Sequence, residues 1–303
     1  MSFTYAAIVI SLLCLAASAA ATTGGAGTVA GSPPPAGSPT GTPASEAPSS
    51  GALSLVSAQA MPRKSFFYGF RYPSVRFSIG STQPQNDLQI DVVNSAGEVA
   101  RSFYRNDVEP NVEVRIRWDG TTAEGLPARN GRYSFRIGPQ GGTAVAARAA
   151  TSSEPLSLGF ALYGYAFPIL GAHEFGSSAG RFGAGRSGHT HQGQDTMAAC
   201  GTPLVAARGG TVQYAGYQYA AGNYVVIDGK GTTFDFMYAH LAEPSPLKTG
   251  DQVRTSQPIG IVGDTGDASG CHLHFEMWTA PGWYEGGSPV DPLSYLEKWD
   301  AYS

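Results

Sequence analysis

Five side chains in three separated stretches have the types needed for metal-assisted hydrolysis: His191 and Asp195 in "HQGQD", His240 in "YAHL", and His272 with His274 in "CHLHFEMW". A hydrolytic Zn²⁺ takes three protein ligands and keeps a fourth position open, and two imidazoles with one carboxylate are a standard set. Spacing alone does not choose the three from the five. A His and an Asp four apart are a weak signal, since such pairs sit on many surfaces as solvated residues. "HLH" is stronger. Alternate side chains of a strand share a face, so His272, His274 and Glu276 look one way and Leu273, Phe275 and Met277 the other. Two polar rings on one half-buried face are costly unless each has a partner.

The elements that must position these residues read as short strands. "GTVQYAG", "NYVVIDG", "FDFMYAHL" and "QPIGIVGDTG" alternate or run apolar between glycines, and a helical period appears only in "PLSYLEKW" near the C-terminus. A mostly antiparallel β domain is predicted over residues 149–303. Upstream, "SVRFSIG", "LQIDVVN", "VEVRIRW" and "RYSFRIG", separated by turn material such as "NSAGE" and "RNG", predict a small β-sandwich over residues 63–148. The expected fold class is all-β.

The opening "MSFTYAAIVISLLCLAASAAATT" has an apolar run from Ala6 to Ala17 and a small-residue cleavage pattern, so residues 1–21 read as a secretory signal peptide. An uncleaved anchor is the alternative, because the segment before the run has no Lys or Arg. Residues 22–62, rich in Gly, Ala, Ser, Thr and Pro, are expected to be a disordered linker that cannot bury enough apolar surface to offset ordering entropy. No second membrane span follows. A formal charge of −4 and the lack of a Lys/Arg cluster argue against a nucleic-acid partner. With Cys14 in the signal, Cys200 and Cys271 remain, and an even pair in an oxidising compartment reads as a disulfide.

Taken together, "HQGQD", "GTPLVAARGGTV", "GNYVVI", "YAHL", "GDQV", "PIGIVGDTG" and "CHLHFEMW" occur in the order found in lysostaphin-type, LytM-like zinc endopeptidases, and residues 165–295 resemble that family. The resemblance implies that His191, Asp195 and His274 bind Zn²⁺ and that His240 and His272 are the catalytic pair. It also implies a secreted or envelope enzyme that cuts peptide bonds in peptidoglycan. Zinc lowers the pKa of a bound water towards 7, which makes a nucleophile available at neutral pH. A bridge between Cys200, five residues after Asp195, and Cys271, next to His272, would tie two parts of that site together. Separately, "VRIRWDGTTAEGLPARNGRYSFRI" resembles the immunoglobulin-like domain of flagellar hook-capping proteins, which implies a spacer or binding module and no chemistry.

Blander roles compete for several residues. His189 reads as a solvated loop residue and His173 as structural or on a cleft rim. Glu276 reads as a partner for a ligand. Tyr238 reads as a packed aromatic, with oxyanion donation as its other role, and Asn223 fits turn chemistry as well as substrate contact. For the whole chain, the alternatives are an inactive module that binds cell wall or regulates a hydrolase, and a zinc endopeptidase acting on glycine-rich proteins.

Overall fold

The computed structural model describes residues 53–142 and 157–303. The expected signal segment, and the expected linker up to residue 52, lie outside the described residues. Eight strands come first: β1 (Ser54–Met61), β2 (Lys64–Phe66), β3 (Ser74–Gly80), β4 (Asn86–Asn94), β5 (Val99–Val108), β6 (Val114–Arg117), β7 (Gly131–Pro139) and β8 (Gly159–Tyr163). They form two sheets, ordered β1-β3-β6 and β2-β8-β7-β4-β5. Alternation decides which side chains face inward. Val75, Phe77 and Ile79 of β3 meet Leu88, Ile90 and Val92 of β4 in one core, while Arg76 between them is exposed. Trp118 is a core aromatic, its ring 5.2 Å from Tyr133 and its indole N–H donated to the Thr121 carbonyl.

Two boundaries differ from the sequence expectation. β1 lies inside the stretch read as linker, because Ser and Ala in "SLVSAQAM" lower its apolar content and an irregularity between Leu55 and Ser57 interrupts its alternation. Leu55, Ala58 and Ala60 are buried, and the strand pairs antiparallel with β3. β8 lies beyond the expected end of the sandwich yet occupies a place between β7 and β2 in its larger sheet. Hydrogen-bond satisfaction, not proximity in the chain, assigns a strand to its sheet.

The second region contains β9 (His173–Phe175), β10 (Gly185–Arg186), β11 (His189–Thr190), β12 (Gln194–Ala198), β13 (Pro203–Val205), β14 (Gly210–Gln218), β15 (Gly222–Gly229), β16 (Phe234–Leu241), β17 (Gln252–Val253), β18 (Pro258–Ile261), β19 (His272–Thr279), β20 (Pro289–Val290) and helix α1 (Leu293–Asp300). Its main sheet runs β17-β14-β15-β16-β19-β12-β9, with β20 on β19, and its pairings are antiparallel. One face buries Val225, Ile227, Phe236, Tyr238, Leu273, Phe275 and Met277. Helix α1, the only α-helix among the described residues, contributes Leu296 and Trp299 to that core from one side of its surface. The opposite face holds the site histidines and Glu276 beside a second, smaller buried cluster that includes Val226, Met237, Trp278 and Trp283.

The sandwich is pinned to this region by backbone and by a buried cation. Thr255 donates to the Tyr68 carbonyl and accepts from Phe70. Arg208 is 2% exposed, lies 4.1 Å over the Phe67 ring, and donates to the carbonyls of Gly164 and Lys230. Burial pushes its guanidinium down to about 10.

Candidate metal centre

The antiparallel registers bring the three distant motifs to one point. Asp195 on β12 stands opposite His274 on β19, and His274 stands opposite Ala239 on β16, one residue before His240. The faces of β19 are as its alternation predicts: Leu273, Phe275 and Met277 enter the core while His272, His274 and Glu276 share the other side with Trp278. His191 precedes β12 and is held by its backbone, accepting from Gly183 and donating to Ala184. Gly193, between the two candidate ligands of "HQGQD", is required sterically. A Cβ there would stand 2.5 Å from the Phe275 carbonyl oxygen and 2.9 Å from the His274 ring.

Hydrogen bonding at the outer ring nitrogens defines the inner ones. Carbonyl and carboxylate oxygens only accept, so His191 Nδ1–H donates to the Arg181 carbonyl at 2.9 Å and His274 Nε2–H to Glu276 Oε1 at 2.9 Å. In the form that takes a metal, with both inner nitrogens unprotonated, the lone pairs of His191 Nε2 and His274 Nδ1 face each other at 2.9 Å, with Asp195 Oδ1 at 3.0 and 2.9 Å. Three such acceptors aimed at one place need a positive charge between them, a proton on His274 or a bound cation. Two imidazoles and a carboxylate whose ligand atoms lie within 4.8 Å of one another, each imidazole anchored from behind, fit Zn²⁺.

The electrostatics favour positive charge here. Burial alone would raise the Asp195 carboxyl, but the His191 and His274 rings against it hold it well below the usual carboxylate range. Burial opposes charge on His274 as well, yet carboxylates at both of its nitrogens push it up to about 9. Glu276, 6% exposed, accepts from three donors: His274, the Trp278 indole at 2.6 Å and the Trp283 indole at 3.3 Å.

His240 and His272 flank the cluster as a matched pair, their rings 4.7 Å apart. Each donates Nδ1–H to a carbonyl at 2.8 Å, of Thr265 and Gly270 respectively, which leaves Nε2 as the ring atom outside that bond. His272 Nε2 is 3.6 Å from Asp195 Oδ1. Burial pushes His240 down to about 4, which keeps it neutral at physiological pH. Its backbone sits at φ +60°, a left-handed conformation that disfavours a side chain by about 1 kcal/mol, held by a hydrogen bond from its N–H to the Ala221 carbonyl.

Other candidates fall outside the cluster. His189 is exposed, with Nδ1 on the Ser187 carbonyl. His173 packs at a tilt against Phe167 and faces Asp300. Tyr238 is wholly buried, its hydroxyl accepting from the Ala207 N–H, and Asn223 bonds the Leu241 carbonyl. Cys200 and Cys271 form a disulfide with Cα atoms 5.3 Å apart, linking the loop after β12 to the start of β19. Sequence reading missed Trp283 and Arg186, whose guanidinium is 3.5 Å from Asp195 Oδ2. No spacing rule points to either, since both come from loops and a two-residue strand.

Residues 189–292, which hold all five side chains, match the model of Peptidase family M23. The chain carries a peptidase M23 domain. Over 87 residues, 29% of this chain and 20% of the relative, the sequence is 42% identical to the peptidoglycan DD-endopeptidase ShyC of Vibrio cholerae. It is 30% identical over 131 residues to lysostaphin of Staphylococcus staphylolyticus, covering 43% of this chain and 26% of that one. Among solved structures, the catalytic domain of lysostaphin from Staphylococcus simulans is similar at 28% identity, with a TM-score of 0.37, over 41% of this chain and 92% of that one. The chain spans less than half the length of the curated relatives it matches. The M23 domain agrees with the family resemblance read from motif order.

Proposed function

We propose that the chain is a zinc-dependent endopeptidase that hydrolyses peptide bonds of bacterial peptidoglycan outside the cytoplasmic membrane. The observation that carries this reading is the convergence of three metal-ligating atoms, His191 Nε2, His274 Nδ1 and Asp195 Oδ1, beside two imidazoles, His240 and His272, each anchored through Nδ1 to a backbone carbonyl. Zn²⁺ held by those three atoms supplies Lewis acidity for amide hydrolysis. His272 Nε2 accepts the proton as water attacks the amide carbon. That one proton is shared with His240 as the tetrahedral oxyanion forms, so that the ring of the pair that holds it donates to the oxyanion, and it then passes to the departing amine, so that C–N cleavage leaves an acid and an amine. The Cys200–Cys271 disulfide supports an oxidising compartment. No helix among the described residues is long and apolar enough to cross a membrane.

The test is zinc analysis together with muropeptide release from purified sacculi by wild type, Asp195→Ala and His240→Ala. One bound zinc and chelator-sensitive release are expected in wild type, with zinc lost in Asp195→Ala. His240→Ala should keep zinc and lose release by at least a hundredfold. Release that survives the chelator and both substitutions overturns the proposal, as does binding to sacculi without metal-dependent release.

A further inference from the structure

Arg186 is placed at the metal centre by a glycine-rich hairpin and has most of its hydrogen-bonding capacity unspent. β10 and β11 pair Arg186 with His189, and the hairpin is stitched to His191 by the Gly183 and Ala184 backbone bonds. The guanidinium approaches only the outer oxygen of Asp195, through one nitrogen at 3.5 Å, and its side chain is 32% exposed. No other described residue accepts from it, so a fork built for two parallel bonds stands open. Glu276, the other acid of the site, has both oxygens committed to His274 and two indoles. The hairpin itself is uncrowded: a Cβ at Gly183, Gly185 or Gly188 would meet nothing within 4 Å.

Strand order gives this cation a direction. On one side of His274 the sheet continues through β16, β15 and β14, about 14 Å of floor at ordinary strand spacing. On the other side the sheet continues through β12 and β9 only, and Arg186 stands at the outer oxygen of Asp195. An extended peptide crossing the centre therefore has a longer arm over β16, β15 and β14 and a shorter arm beside a guanidinium.

We propose that Arg186 determines specificity by binding a free carboxylate one or two residues from the scissile bond, so that the preferred substrate is a carboxylate-bearing cross-linked peptide and not an uncharged glycine chain. This rests on the endopeptidase reading above. The side chain's long, single contact with Asp195 leaves guanidinium N–H groups for a docking carboxylate, which the planar fork matches with two parallel bonds.

The experiment compares synthetic cross-linked stem peptides carrying a carboxylate on one side of the scissile bond, on the other side, or carboxamides on both. Cleavage is read as kcat/KM on the zinc-loaded protein, and binding by calorimetry on the zinc-loaded His240→Ala variant. One acid form is expected to exceed the carboxamide at least tenfold in both readouts. Arg186→Gln should bring that ratio within twofold while one zinc is retained, and Arg186→Lys should restore part of it. Equal acid and carboxamide in wild type, an undiminished preference in Arg186→Gln, or loss of zinc from that variant overturns the proposal; the last would make Arg186 a support for Asp195 alone. If no peptide is cut but the acid form still binds more tightly through Arg186, the endopeptidase reading fails and the carboxylate site stands.

Discussion

Glu276→Gln probes the support behind the metal centre with almost no change of volume. The carboxylate accepts from three N–H donors, those of His274, Trp278 and Trp283, in a site 6% exposed to solvent. A carboxamide has one acceptor oxygen. If that oxygen faces His274, its NH₂ meets two indole N–H groups; if it is turned round, the NH₂ meets the His274 N–H. Either way at least one buried donor loses its acceptor, at about 1–3 kcal/mol, and the His274 ring loses a charge-assisted bond that orients it and raises its basicity. Outer partners of metal-bound histidines typically contribute about 10–100-fold in affinity. The expected result is therefore a zinc Kd weakened by about 10–100-fold, measured by competition with a chromophoric chelator, together with a lowered Tm in the metal-free protein. Glu276→Asp, which restores the charge but shortens the reach, should recover stability more than zinc affinity. Wild-type zinc affinity and Tm in Glu276→Gln would refute the assignment of the carboxylate as the anchor of His274.

Gly193→Ala should lower zinc affinity at least tenfold, because a Cβ 2.5 Å from the Phe275 carbonyl oxygen forces β12 and the His274 ring apart; zinc titration checks this, and unchanged affinity contradicts the steric argument. Breaking the disulfide with Cys200→Ser and Cys271→Ser together, whose sequence separation is 71, should destabilise the fold by about 4 kcal/mol in urea unfolding of the oxidised wild type against the variant. Zinc at about 100 times its Kd should stabilise wild type by about 2.7 kcal/mol and raise Tm, whereas Asp195→Ala should show no such rise. Arg208→Ala should cost about 3 kcal/mol by leaving the Gly164 and Lys230 carbonyls without their donor and emptying the space between Phe67 and Tyr165, and calorimetry of the intact chain will show the loss.

What could be read from the chain beforehand follows the range of the interactions involved. The faces of "CHLHFEMW" were legible because a strand's period is a local property: Leu273, Phe275 and Met277 are core, and the histidines with Glu276 and Trp278 share the other face. The disulfide was legible from the parity of the cysteines once a secretory signal was expected, and the C-terminal helix from one helical period. β1 was not, because composition counts small residues as linker while packing asks only whether Leu55, Ala58 and Ala60 fall on one side. Arg186 and Trp283 were illegible for a different reason. Each reaches the site from a turn whose path depends on tertiary contacts, Arg186 through the β10–β11 hairpin and Trp283 through the backbone N–H it donates to Asp235. Two of the three proposed ligands, Asp195 and His274, thus come from paired strands, while His191 and the proposed specificity residue Arg186 come from the short hairpin and loop before β12, and such segments can change without disturbing the register that brings Asp195 opposite His274.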